Sequence, residues 1–111
     1  MYHYKATLNR IIDGDTIDVN VDLGFDVKIK QRVRLYGINT PEVRTKDLNE
    51  KKKGLEATEY LKKILPKEFV METILNKRGK YGRVLGILWV KDVNINEKMV
   101  NEGYAKRYDT K

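Results

Sequence analysis

Apolar and polar positions alternate with a period of two through most of the first 35 residues. Ile17, Val19, Val21 and Leu23 interleave with Thr16, Asp18, Asn20 and Asp22, the pattern of a strand with one buried face. Tyr2 to Ile12 is also strand-like, and Asp13-Gly14 predicts a hairpin turn between the two. After a turn at Gly24, Val27, Ile29, Val33 and Leu35 mark a third strand. Its other face carries Lys28, Lys30, Arg32 and Arg34. Gln31 falls on the apolar parity, which points to a bulge. Asn39-Thr40-Pro41 ends this strand, because proline cannot donate to a sheet ladder.

The period then changes. A polar, Lys-rich stretch from Arg44 to Lys53 reads as a surface loop. Ala57, Leu61, Ile64 and Leu65 fall at i, i+4, i+7 and i+8 and predict a helix ended by Pro66. Phe69 to Leu75 and Val84 to Val90 read as strands around a hairpin loop at Asn76–Arg83. A short helix at Glu97–Glu102 closes with Gly103 as its C-cap. The order β-β-β-α-β-β-α predicts one mainly β (α+β) domain over residues 1–111. Its expected architecture is a five-stranded OB-fold-type barrel with two helices.

Composition narrows the chemistry. Charged residues make up 35% of the 111 and leave a net charge of +7, which favours a polyanionic partner such as nucleic acid. The same excess can serve solubility alone. There is no cysteine, so disulfides, thiolate metal sites and cysteine nucleophiles are excluded. A lone histidine, His3, cannot build a histidine-rich metal site and reads as a strand-surface residue. Catalysis would have to rest on carboxylates, Arg, Lys, Tyr or a hard metal. No apolar run approaches the roughly 18 residues of a membrane span. Met1 leads into strand-like sequence without an apolar leader core, so the chain as written is expected in the cytoplasm, or exported if a leader was removed.

Two oxygen-rich turns are where such chemistry would sit. In Asp13-Gly14-Asp15-Thr16, turn formation accounts for Asp13 and Gly14. Asp15, however, shares parity with the apolar set and points inward. A carboxylate held there is either paired with a cation or ligates a metal. In Asn39-Thr40-Pro41-Glu42, Asn39 and the Thr40 carbonyl offer neutral oxygens and Glu42 is free to hold a water. Arg34 and Arg83 read either as strand-end cations or as a bidentate clamp for the charge of a pentacovalent phosphate. Lys77, Arg78, Lys80 and Arg83 crowd one loop with Tyr81, giving cations for a backbone and a ring for a base.

These motifs resemble the staphylococcal nuclease (thermonuclease) family over nearly the whole chain. Asp-Gly-Asp-Thr at 13–16, Arg-Leu…Thr-Pro-Glu at 34–42, Lys-Tyr-Gly-Arg at 80–83 and Asn-Glu…Gly-x-Ala-Lys at 96–106 follow the family's order and spacing. The resemblance implies a calcium-dependent nuclease acting on DNA and RNA, with single-stranded or frayed substrates preferred, and leaving 3′-phosphate ends. It makes Asp15 the calcium carboxylate, Thr40 a backbone-carbonyl ligand and Asn39 the position of a second metal ligand. Glu42 becomes the general base or water-orienting residue, and Arg34 and Arg83 the phosphate clamp. Lys80 and Tyr81 would contact a terminal phosphate, and Asp13 would adjust the metal from behind its ligands. A monomer is expected.

Two departures accompany the resemblance. Asn39 stands where the family places a second calcium carboxylate, so the site carries one formal negative charge fewer. The sequence reaches Lys111 without the family's tyrosine pair after the Ala-Lys segment; Tyr108 lies near that place, out of register, as the candidate base-stacking ring. The competing reading is a non-catalytic barrel that binds nucleic acid without cutting it.

Overall fold

The computed structural model of the chain describes residues 2–78 and 84–108. Five long strands close a barrel: β1 (Tyr2–Asp13), β2 (Thr16–Asp22), β3 (Lys28–Leu35), β5 (Glu68–Arg78) and β6 (Val84–Val90). β1 pairs antiparallel with β2 and β5, β2 with β3, and β5 with β6. A parallel pairing of β3 with β6, Val33 opposite Val84 to Leu35 opposite Gly86, closes the ring. Between these lie β4 (Ile38–Asn39), α1 (Leu48–Ile64), β7 (Val93–Asn94), α2 (Ile95–Asn101) and β8 (Lys106–Arg107). The five-stranded barrel with two helices is the expected architecture.

Strand alternation builds the core. Ile17, Val19, Val21, Val33 and Leu35 are buried from β2 and β3, Ala57 and Leu61 from α1, and Ile95 and Met99 from α2. Burying a side chain of this size stabilises the fold by roughly 1.5–3 kcal/mol.

Four details differ from the sequence pattern. No bulge occurs at Gln31: β2 and β3 pair without a shift from Thr16 opposite Arg34 to Asp22 opposite Lys28. Gln31 is half-buried on the inward side instead. The β1–β2 ladder is the irregular neighbour, with shifts in β1 between Leu8 and Arg10 and between Ile11 and Asp13. The second of these inserts Ile12, so that Asp13 pairs with Thr16 and the turn is Gly14-Asp15 rather than Asp13-Gly14. Bulges re-aim a strand end in this way beside functional sites.

The expected loop at Arg44–Lys53 is helical from Leu48 onward. Asp47 caps the helix, its carboxylate accepting from the Asn49 and Glu50 amides at 3.0 and 3.3 Å. The first turns lack an apolar stripe because they face solvent, which hides them from periodicity. β5 likewise runs through Arg78 into the expected hairpin loop.

Candidate active site

The open end of the barrel gathers three segments around one buried carboxylate. Asp15, at 8% exposure, sits in the β1–β2 turn. Its Oδ2 accepts the Thr40 amide at 3.1 Å and lies 3.1 Å from Arg34 Nη1. Its Oδ1 accepts the Thr16 hydroxyl at 3.2 Å. Arg34, at the end of β3, also donates through Nη2 to Asn39 Oδ1 at 3.2 Å. The Asp15 carbonyl accepts the Leu35 amide at 2.8 Å, fixing the turn against the strand that carries Arg34.

Space at this junction is decided by two glycines. A Cβ on Gly14 would stand 2.8 Å from Thr40 Cγ2 and 3.0 Å from Ala57 Cβ. The turn therefore needs glycine for close approach, and its φ is not among the positive ones. Gly54, within α1, meets the Pro41 carbonyl at 2.7 Å and the Glu42 carbonyl at 3.1 Å from where its Cβ would be. A glycine there weakens the helix by roughly 1 kcal/mol, yet it lets the helix seat the Pro41-Glu42 backbone directly. Sequence reasoning missed Gly54; a glycine inside a helical stretch was the available signal.

The electrostatics set the two aspartates apart. Burial first, then the hydrogen bond and charge of Asp15, push the Asp13 carboxyl up to about 6. Burial acts on Asp15 in the same direction. The hydrogen bond with Asp13, the Arg34 guanidinium, the Thr40 amide and the Thr16 hydroxyl outweigh it and hold Asp15 below the usual carboxylate value. Asp13 thus keeps the shared proton and Asp15 the charge. Asp13 Oδ1 also accepts the Asp15 amide at 3.1 Å.

A stability prediction arises here. A carboxyl raised on folding contributes stability fully below its unfolded value of 3.8, and loses it as pH rises through about 6. Asn at position 13 keeps the acceptor for the Asp15 amide and can replace the shared proton with an amide donor. Asp13→Asn should therefore stabilise the metal-free protein at pH 7–8 by about 1–2 kcal/mol after discounting for solvent. It should be neutral near pH 3. Chemical denaturation at the two pH values checks this; an equal effect at both would locate the change outside the titration.

Glu42 is exposed and its Oε1 accepts the Arg44 amide at 3.3 Å. Tyr108 comes to the site by a route sequence alone does not show. β8 pairs with β4, Asn39 opposite Lys106, and the Tyr108 amide donates to the Gly37 carbonyl at 2.8 Å. The Tyr108 ring then stands 5.8 Å from Arg34 Cζ, within cation–π reach. Lys80, Tyr81 and Arg83 lie outside the described residues.

As a metal site the donors are all hard oxygens: the Asp15 and Asp13 carboxyls, the Asn39 amide and backbone carbonyls. That chemistry suits calcium. No group of three Asp, Glu or His occurs among the described residues, so water would complete most of the shell. The donor set fits a weakly held hard cation, and within it Asp15 is the carboxyl that is both buried and held ionised.

Comparison with known proteins decides the family. The family model described as staphylococcal nuclease homologue matches residues 32–111. The chain belongs to the staphylococcal nuclease family. It is 37% identical over 100 residues to a thermonuclease of Staphylococcus intermedius, covering 89% of this chain and 56% of that protein. A thermonuclease of Staphylococcus hyicus is 34% identical over 98 residues, covering 87% and 55%. A protein named ParB from Escherichia coli is 35% identical over 113 residues, covering 94% and 57%. The chain thus spans about half the length of these curated relatives.

One further residue bears on this site, marked in the sequence only as the first position of the 96–106 motif and without a role. Asn96, 3% exposed in α2, accepts the Leu88 amide at 3.1 Å. It donates to the Tyr36 and Gly86 carbonyls at 2.9 and 3.0 Å. It therefore ties β6 to the residue that follows β3, two positions beyond Arg34.

Proposed function

We propose that this chain is a calcium-dependent nuclease that hydrolyses phosphodiester bonds of DNA and RNA and leaves 3′-phosphate ends. The observation that carries the reading is Arg34 Nη1. It is buried, and among the described residues it has no aligned hydrogen-bond acceptor, although Asp15 Oδ2 is near. A guanidinium paired with a buried carboxylate by charge, but with one nitrogen lacking an aligned hydrogen bond, suits a phosphate oxygen arriving beside it.

Asp15, the Asn39 amide and the Thr40 carbonyl would hold calcium, with Asp13 behind them. The ion, when bound, offsets charge on the phosphate and acts as a Lewis acid toward it. Arg34, with Arg83, holds the equatorial phosphate oxygens as their charge grows. Glu42 has one oxygen on the Arg44 amide and the other available to orient a water and take its proton. The water oxygen bonds to phosphorus, the P–O5′ bond breaks and the leaving oxygen takes a proton from solvent. Lys80, Tyr81 and Tyr108 would bear on the flanking nucleotides, and unpaired or frayed strands would enter most readily. The chain would act as a monomer.

Incubation of plasmid and single-stranded DNA with calcium or with a chelator tests the reading. Cleavage that needs calcium and yields 3′-phosphates supports it; retention on a gel without cleavage favours binding alone. That second reading has one observation behind it, the uncharged Asn39 at the rim of the site.

The same position yields a prediction. Asn39→Asp adds a ligand charge at nearly constant shape and should tighten calcium by about 10-fold, since hard-oxygen sites follow ligand charge. Activity at limiting calcium should rise with it. Calorimetric titration of both proteins is the check, and equal affinities would remove position 39 from the metal site.

A further inference from the structure

The tip of the β2–β3 hairpin presents a side chain that the fold does not use. Phe25 is fully exposed, at 101% of its reference area. Its backbone lies in the left-handed region, φ 54°, followed by Asp26 at 62°, where a bulky residue is an outlier. The turn is nevertheless firmly held. The Leu23 amide donates to Val27, the Val27 amide to Gly24, and the Gly24 amide to Asp22 Oδ1, at 2.9, 2.9 and 2.8 Å. The ring is displayed on an ordered platform.

From that tip β3 runs back to the candidate active site. Lys28, Lys30, Arg32 and Arg34 occupy every second position on one face, about 6.8 Å apart. The first three are exposed. Arg32 is pre-set: its Nε and Nη2 donate to the two Asp18 oxygens at 2.8 and 3.1 Å, which leaves the other edge of the guanidinium outward. A groove of about 690 Å³ on part of this face is lined by Arg10, Asp18, Asn20, Lys30 and Arg32.

We infer that this outer face is a track for single-stranded nucleic acid, with phosphates along Lys28, Lys30 and Arg32 and a base stacked on Phe25. A ring at one end of a cation row is the chemistry by which unpaired strands are held, and the row ends in register at Arg34. The inference rests on the nuclease reading and extends it: the track delivers a strand to the site without taking part in cleavage. An apolar tip beside lysines could also meet an anionic lipid surface, so the test includes one.

Fluorescent oligothymidylates of two and of about 12 nucleotides, a length within the site size of such barrels, serve as probes in the presence of a chelator. The wild type should bind the longer strand much more tightly than the shorter. Phe25→Ala should weaken the longer strand by about 10-fold, the order of one stacked base. Lys28→Ala with Lys30→Ala should lower the slope of log affinity against log salt by about 1.4, or 0.7 for each phosphate. Both variants should melt as the wild type does and cleave the two-nucleotide substrate with calcium unchanged. Equal affinity of wild type and variants for the longer strand overturns the track, and so does a matching loss of two-nucleotide cleavage. Phe25-dependent capture by phosphatidylglycerol vesicles, with strand affinity unchanged, assigns the tip to lipid and overturns it too. A wild type that neither binds the longer strand nor cuts it with calcium removes the nuclease reading and the track together. Cutting without any length preference removes the track alone.

Discussion

Arg34→Ala should lower turnover on single-stranded DNA by about 10²–10³-fold at saturating calcium, the scale of losing one charge-stabilising donor from a transition state. Two features of its surroundings set this expectation. Nη1 is buried in an ion pair 3.1 Å from Asp15 Oδ2 but has no aligned hydrogen-bond acceptor among the described residues, so its hydrogens are not committed to one. Nη2 is anchored on Asn39 and the Tyr108 ring stands over Cζ, which fixes the plane of the fork. Arg34→Lys keeps the charge and loses the fork, so it should fall between wild type and alanine. KM should change less than kcat, because the phosphate gains its extra charge only in the transition state.

The same substitution has a structural cost that must be separated from catalysis. Asp15 would lose the cation beside it while keeping the Thr40 amide and the Thr16 hydroxyl. Its carboxyl is held low in the folded protein. It therefore contributes stability above the unfolded value, lost as pH falls through the folded one. Arg34→Ala should shrink that contribution at neutral pH and leave acid stability unchanged. Circular dichroism should remain native and calcium should restore part of the lost stability. A variant that turns over normally, or that unfolds with calcium present, would assign Arg34 to the fold rather than to the phosphate.

The sequence announces this site unevenly, for physical reasons. β2 is legible because its alternation is unbroken, and that alternation is what exposes Asp15 as an inward carboxylate. Arg34 is harder to read. Its parity groups it with the outward lysines of β3, but at the strand end the long side chain turns to Asp15 and Asn39 and is half-buried. The first turns of α1 are hidden because a capped, Lys-rich, solvent-facing helix has no apolar stripe. Tyr108 reaches Arg34 through its amide's bond to Gly37 and the pairing of β8 with β4, two strands of two residues each, too short for any periodic signal. The closure of β3 on β6 is a parallel pairing between segments about 50 residues apart, and nothing local records it.

Asn96 is the clearest case of a residue whose weight lies in contacts no pattern reveals, and it carries the largest expected effect on stability. Its amide is fully used: one acceptor on Leu88 and both donor hydrogens on Tyr36 and Gly86. The Gly86 carbonyl also takes the Tyr36 amide at 2.8 Å, so β3, β6 and α2 meet at this one side chain. Asn96→Ala removes the acceptor of the buried Leu88 amide and one donor each from the Tyr36 and Gly86 carbonyls, and a buried polar group left unmet costs about 1–3 kcal/mol. A loss of about 3–4 kcal/mol in total is expected after partial relaxation. Asn96→Asp supplies the control. One carboxylate oxygen can still accept the Leu88 amide, but the other would face two carbonyls, so the folded state favours the protonated acid. Its folded pKa then lies above the unfolded value of about 3.9. Stability should be near that of the wild type below that value and fall as pH rises through the folded one. Urea denaturation of both variants between pH 3 and 8 reads this directly. A pH-independent loss in Asn96→Asp, equal to that of Asn96→Ala, would mean that side-chain volume rather than the amide's donors ties β6 to the residue that follows β3.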